Sequence, residues 1–135
     1  METTLLLIKP NAVRNRNIGA IIDHIEKEQF WIVAMKLFQM DTTLAEKFYA
    51  IHKDKPFYSD LIAFMSSGDI IALILKKENA VSELREVVGN TDPQKANPGT
   101  IRCLYGESVN RNSVHASDSV ANAQTEIALI FPELM

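Results

Sequence analysis

The stretch Asn112 to Ser119, NSVHASDS, sets one histidine, His115, among small and polar residues rather than in a hydrophobic stripe. That setting favours an exposed, oriented imidazole. A neutral ring nitrogen can attack phosphorus near pH 7 without a strong base, and the phosphoramidate so formed readily gives its phosphate up again. Such an intermediate suits reversible phosphoryl transfer. The other ring nitrogen must then be held by an acceptor that fixes tautomer and orientation. Glu126 is spaced so that a helix after the histidine could return its carboxylate toward the ring. Moving a phosphoryl group asks a protein chiefly for positioning and fixed positive charge. The candidates are Lys9 at the end of the first apolar run, Arg85, and Arg102 within GTIR. Each of the three, taken singly, reads as solvent-facing charge, and spacing alone does not gather them. His24 and His52 read as surface residues. No cluster of carboxylates or of His and Cys points to a metal site built by the protein.

The elements that must position these groups follow from apolar periodicity. Thr3–Lys9 and Asp69–Lys77 are short, nearly continuous apolar runs, which suits central strands covered on both faces. Trp31–Met40, rich in aromatic and branched residues, is a third extended candidate whose broken alternation leaves a helical start open. In NIGAIIDHIEKE, Ile18, Ile21, Ile22 and Ile25 fall at helical spacing with charges on the other face. A second helix follows Asp41, Thr42 or Thr43 as cap, with Leu44, Phe48 and Ile51 on its buried stripe. Another follows Pro56, carrying Phe57, Leu61, Phe64 and Met65 and stopping near Gly68. Glu78–Val88 is predicted as a helix burying Val81, Leu84 and Val88 and ended by Gly89. From Gly89 to Ser113 no period is found, only turn chemistry such as GNTDP and NPGT. A compact domain rarely keeps so long a loop without a use for it. A short strand over Val114–Ser117 and a helix over Ser119–Leu129 complete the order β-α-β-α-α-β-α-loop-β-α. Two interleaved β-α-β units of this kind predict an α+β, ferredoxin-like sandwich. Its four-stranded antiparallel sheet is covered by helices on one face, with a long loop before His115.

At 135 residues and 47% hydrophobic composition the chain is sized for one domain, 1–135. A net charge of −3, from 14 basic and 17 acidic residues, argues against a general nucleic-acid coat while leaving room for a local basic pocket. Cys103, the one cysteine, has no intramolecular partner, and METTLLLIKP lacks the features of a signal peptide. A cytoplasmic location is expected. The apolar runs at Leu5–Ile8 and Ile70–Leu75 fall far below the ~20 residues that span a bilayer, so no membrane insertion is expected.

IKPNAV at Ile8–Val13, NPGTIR at Asn97–Arg102 and HASDS at His115–Ser119 resemble, in order and separation, the signatures of the nucleoside diphosphate kinases. FYAIHKDKPF and GNTDP extend the resemblance over essentially the whole chain. It implies that His115 is the nucleophile and that Glu126 and Ser117 orient its ring, although Ser117 by itself reads as a helix cap. Lys9 and Asn112 are implied to bind the sugar hydroxyl and phosphate region, and Arg85, Thr91 and Arg102 the phosphates. Tyr49, otherwise read as core, is implied to sit beside His115. Phe57, as apt to anchor its helix as to stack on a base, is implied to carry the base, with low base specificity. The implied reaction is a ping-pong exchange between nucleoside tri- and diphosphates, ribose or deoxyribose, with Mg2+ arriving on the nucleotide phosphates. Homo-oligomers are implied, hexamers or tetramers, and the short end FPELM offers little tail to tie subunits together. The sequence departs from the family pattern at Asn11 for the usual aspartate, Ala116 for glycine, Asp69 for proline, and Cys103-Leu104 for a small residue and aspartate. These departures bear on packing and assembly more than on chemistry. An RNA-binding module on the same fold would need an RNP1 segment, and none occurs. A nucleotide-binding regulator, or a protein that hands its histidine phosphate to another protein, is the remaining alternative.

Overall fold

The computed structural model describes residues 1–134; Met135, the last residue of FPELM, lies outside the described residues. In chain order the elements are β1 (Glu2–Ile8), α1 (Pro10–Arg14), α2 (Ile18–Lys27), β2 (Trp31–Gln39), α3 (Thr42–Phe48), α4 (Tyr58–Met65), β3 (Asp69–Lys77), α5 (Ala80–Val88), α6 (Ile101–Tyr105), β4 (Val114–Ala116) and α7 (Val120–Ile130). The strands form one sheet in the order β2-β3-β1-β4, with every neighbouring pair antiparallel. This is the predicted α+β, ferredoxin-like arrangement.

The apolar runs dictate how the sheet is covered. Residues alternate faces along a strand, so a strand reading LLLI has no face to offer water. Leu5 and Leu7 pack with Ile70, Ala72 and Ile74 of β3 against Phe48, Phe64 and Ile127 from α3, α4 and α7. Leu6 and Ile8 pack with Ile71, Leu73 and Leu75 against Ile21, Ile25, Leu84 and Ile101 from α2, α5 and α6. Helices therefore cover both faces, which corrects the expectation of helices on one face and agrees with the two-sided burial read from the runs. Each fully buried leucine contributes roughly 1.5–3 kcal/mol, so β1 alone anchors both layers. Strand β2 differs. It is one of the two edge strands, its exposure alternates along its length, and Trp31, Val33, Met35 and Leu37 point outward.

Local chemistry sets the ends of the elements. Asp41 is the cap among the three candidates, accepting from the Leu44 N–H at 2.7 Å, and Ser119 caps α7 through the Asn122 N–H at 3.0 Å. Two predictions need correction. Helix α3 stops at Phe48, and Ile51, expected on a buried stripe, lies in a 3₁₀ turn at 72% exposure. The segment 89–113, read as loop, contains a 3₁₀ turn at Pro93–Lys95 and helix α6. Five residues are too few to show a helical period; the legible signal was Thr100, whose hydroxyl accepts from the Cys103 N–H. The same holds for α1, where Pro10 occupies the first helical position.

Candidate active site

His115 is the central residue of β4, opposite Leu7 of β1. Cross-strand partners share a face, so the imidazole lies on the side covered by α3 and α7. Phe48 meets the ring edge-on with centroids 4.9 Å apart, and Tyr49 does so at 6.0 Å. Glu126 projects from α7, and its Oε1 lies 3.0 Å from His115 Nε2. The Ser117 hydroxyl donates to the same oxygen at 2.5 Å. A carboxylate accepts, so Nε2 carries the proton and the lone pair of the neutral ring sits on Nδ1. Burial pulls the His115 pKa below its ordinary value, and the hydrogen bond and charge of Glu126 oppose that pull. The ring is therefore neutral at pH 7, as a nucleophile requires.

Cations converge on this imidazole from three element ends. Lys9 follows β1 and precedes α1; its Nζ donates to Asn112 Oδ1 at 2.9 Å. Asn112 Nδ2 in turn donates to the Thr91 carbonyl at 3.0 Å. Arg102 leaves α6 and donates to the carbonyls of Gly89 and Val114, each at 3.0 Å. Arg85 at the end of α5 donates to the Ala116 carbonyl at 3.2 Å. Gly89 permits this convergence: at φ +89° a side chain is strained, and a Cβ there would meet Thr100 Oγ1 at 2.6 Å.

Among the described residues these cations are held by neutral carbonyls and amides, with no carboxylate against them. Burial, then the charge of Arg102, brings the Lys9 pKa down to about 7. Burial, then Arg85, brings Arg102 down to about 10. A buried cation cluster without a counter-charge is costly unless an anionic ligand completes it. Two further groups stand unsatisfied: Tyr49 Oη and Arg102 Nε are buried and have no hydrogen-bond partner among the described residues. The Tyr49 hydroxyl stays protonated, its pKa raised by burial and then by Glu126.

His115, Lys9, Tyr49, Phe57, Arg85, Thr91, Arg102, Asn112 and Glu126 all line one cleft of about 260 Å³. Ser117 is fully buried behind it, on Glu126. Every residue singled out from sequence is thus brought to one place. A roomier hollow of about 580 Å³ beside Arg14, Asp60 and Arg111 contains neither a histidine nor a buried cation, so chemistry rather than volume distinguishes the smaller cleft. Sequence reasoning missed one wall. His52, read as a surface residue, is half-buried, stacks on Tyr49 at 6.3 Å and lies 5.6 Å from the Phe57 ring. Its place within FYAIHKDKPF, between Tyr49 and Phe57, was the available signal.

Comparison with known proteins places the chain in a family. The family model "Nucleoside diphosphate kinase" matches residues 2–135. The chain belongs to the nucleoside diphosphate kinase family. Among curated family members, that of Chlorobium chlorochromatii is 50% identical over 131 residues, 97% of this chain and 94% of its own. That of Nitratiruptor sp. is 49% identical over 133 residues, 98% of this chain and 97% of its own. The solved nucleoside diphosphate kinase of Aquifex aeolicus superposes with a TM-score of 0.95 at 40% identity, covering 98% of this chain and 96% of that one. The halophilic enzyme of Halobacterium salinarum, solved in complex with CDP, gives 0.94 at 37% identity, covering 96% and 87%. The family's fold and the two-sided sheet described above are the same fold. Among the described residues no helix is long and apolar enough to cross a membrane.

Proposed function

We propose that this chain, acting as one domain over residues 1–135, reversibly transfers the terminal phosphate of a nucleoside or deoxynucleoside triphosphate to a nucleoside diphosphate through a phosphohistidine at His115. The observation that carries the reading is the Nε2 contact of His115 with Glu126 at 3.0 Å, in a cleft whose other charged groups include three cations without a carboxylate partner among the described residues. In the first half-reaction the Nδ1 lone pair attacks the γ-phosphorus. The bond from that phosphorus to the β,γ-bridging oxygen breaks, and the diphosphate leaves with the electron pair. The ring gains positive charge as the N–P bond forms, and the Glu126 carboxylate stabilises it while keeping the Nε2 proton. A second diphosphate, entering the same cleft, takes the phosphoryl group by the reverse path.

Each remaining residue has a role that its chemistry supports. Lys9 and Asn112 bind the sugar hydroxyl and the nearby phosphate oxygens, and Arg85, Thr91 and Arg102 hold the phosphate chain. The Tyr49 hydroxyl, which has no partner among the described residues, donates to the transferring group. Phe57, 36% exposed at the mouth of the cleft, offers a π-face that any base can stack on, so base selectivity is low. The CDP bound by the Halobacterium enzyme supports a pyrimidine being accepted here as well. The cleft's carboxylates are Asp118 and Glu126, and Glu126 is engaged by His115 and Ser117. That donor set suits magnesium carried on the nucleotide phosphates, where it would neutralise their charge, better than a protein-held ion. We place the protein in the cytoplasm as a homo-oligomer, hexamer or tetramer. Support for assembly comes from the outward apolar row Trp31, Val33, Met35 and Leu37 on an open sheet edge, which a second copy would cover.

The test is to mix the purified protein with γ-labelled ATP and magnesium, follow acid-labile label on the chain, and add GDP. Label that forms and is chased into GTP supports the reading, and His115→Ala should keep the fold and lose both steps. Label that persists despite GDP would replace it with a protein-directed phosphocarrier. Binding of ATP without label would replace it with a nucleotide-binding regulator.

A further inference from the structure

Between Tyr105 and Val114 the chain makes a tight excursion before entering β4. The Glu107 and Ser108 N–H groups both donate to the Arg111 carbonyl, at 2.8 and 3.3 Å, and the Arg111 N–H donates to the Ser108 hydroxyl at 3.2 Å. The excursion ends on Ser113, a non-glycine residue at φ +78°. A residue in that region persists only where its surroundings hold it. Ser113 lies between Asn112, which meets Lys9, and Val114, whose carbonyl receives Arg102. The orientation of two cleft cations therefore depends on how this bend is fixed.

Asn11, buried on α1, supplies the fixing contacts. Its side-chain N–H2 group faces three acceptors: Glu107 Oε2 at 2.9 Å, the Arg111 carbonyl at 3.1 Å and Ser113 Oγ at 3.1 Å. Two N–H hydrogens are shared among them. Its side-chain oxygen Oδ1 is buried and has no partner among the described residues. The amide is thus held for its donors. Asn15, one turn further along, donates to the same Glu107 oxygen at 3.1 Å. The Ser113 hydroxyl donates to the Tyr105 carbonyl, which closes the start of the excursion onto its end. Two residues before Asn11, the Lys9 N–H donates to the Ser113 carbonyl at 2.8 Å.

We propose that Asn11 is a positioning residue, matched to Glu107, whose amide donors pin the 105–113 excursion to α1 and so present Asn112 to Lys9 at the phosphate-binding end of the cleft. This rests on the functional reading above for its consequence in turnover, while the pinning itself does not. An aspartate at this position is nearly isosteric but brings acceptors only. It would set a second carboxylate against Glu107 and face the Arg111 carbonyl with no hydrogen to share. Exchanging the partner as well, in Asn11→Asp/Glu107→Gln, restores one donor–acceptor pair with the roles reversed.

The test compares wild type, Asn11→Asp and the double variant by hydrogen–deuterium exchange of segment 105–113 and by kcat and KM for transfer from ATP to GDP. Expected are faster exchange confined to this segment in Asn11→Asp and a kcat lowered about ten-fold or more, with KM changed by less, because a misplaced group costs most where geometry must be reached. Recovery of at least half of the loss, on a logarithmic scale, is expected in the double variant. The proposal is overturned by unchanged exchange and turnover in Asn11→Asp, by a double variant no better than the single, or by faster exchange spread evenly over the whole chain. A wild type that transfers no phosphate would refute the functional reading, whereas the exchange measurement still decides whether Asn11 pins the excursion.

Discussion

Replacing Lys9 by methionine, which keeps most of the side-chain length and removes the ammonium, is expected to make the nucleotide-free protein more stable and a poorer catalyst. Lys9 is 6% exposed. Its pKa is about 7 in the fold, against 10.5 when solvated. That gap, at about 1.36 kcal/mol per pH unit, corresponds to about 5 kcal/mol by which burial, and then the charge of Arg102, disfavour the charged form. The substitution also removes the donor to Asn112 Oδ1, and an unsatisfied buried acceptor costs about 1–3 kcal/mol. The net expectation is a gain of about 2–4 kcal/mol at pH 7. The sign can be followed with pH. From about pH 7 to pH 10.5 the unfolded chain holds a proton on Lys9 that the folded chain has released, so wild-type stability rises with pH through this window. The variant lacks that rise, and its advantage is largest at and below pH 7 and shrinks toward pH 10.5. Urea unfolding of both proteins without nucleotide, at fixed protein concentration and at steps across the window, measures it. A wild type more stable than the variant at pH 7, or a difference that does not shrink as pH rises, would refute the account of Lys9 as a buried cation awaiting an anion. In the same variant, loss of a charged hydrogen bond worth about 1.5–3 kcal/mol should lower transfer roughly ten- to a hundred-fold.

Glu126→Gln retains an acceptor for Nε2 but not the charge that stabilises the ring as it turns positive, so kcat should fall roughly ten- to a hundred-fold, from about 1.5–3 kcal/mol. Because Glu126 holds the His115 pKa up against burial, the acid limb of the pH–rate profile should also move to lower pH. A rate within three-fold of wild type, or a limb that stays in place, would count against the assignment. Phe57→Ala removes a stacking face worth about 1–3 kcal/mol and should raise KM for every nucleotide by a similar factor, with little change in melting temperature because the ring is partly exposed. A rise confined to purine nucleotides would be evidence against a sequence-tolerant platform. Gly89→Ala combines a positive φ with a Cβ 2.6 Å from Thr100 Oγ1 and should cost about 1–3 kcal/mol of stability. A variant melting with wild type would mean that α5 and α6 approach each other less tightly than described.

Strand and helix periodicity carried most of the architecture. β1 and β3 were legible because a strand covered on both faces must be apolar throughout, and α2 and α5 because one charged and one apolar face fit only a helical period. The helices on the second sheet face were implied by those same runs, although the fold analogy pointed to one face; burial of Leu6 and Ile8 beside Leu5 and Leu7 decides between them. The short helices α1 and α6 were invisible to periodicity, because a five-residue helix completes little more than one turn and owes its stability to caps and tertiary contacts. Ile51 was misplaced for a related reason: nothing in the apolar spacing marks where a helix stops being continued.

The site divides along the same line. His115 could be proposed from its own surroundings, since a histidine among small polar residues already suggests an oriented nucleophile, and the family resemblance linked it to Lys9, Arg85 and Arg102. What sequence alone could not do was bring Lys9 to Asn112 across 103 residues of chain, or turn His52 from a surface residue into part of the cleft wall. Those contacts follow from the order β2-β3-β1-β4, which sets β4 beside β1, and from the bend at Ser113 that directs Asn112 toward Lys9. Local propensity is encoded residue by residue and can be read from the chain. The depressed pKa of Lys9 and the neutral His115 arise from desolvation and from charges distant in sequence, and they exist only once the sheet has closed around them.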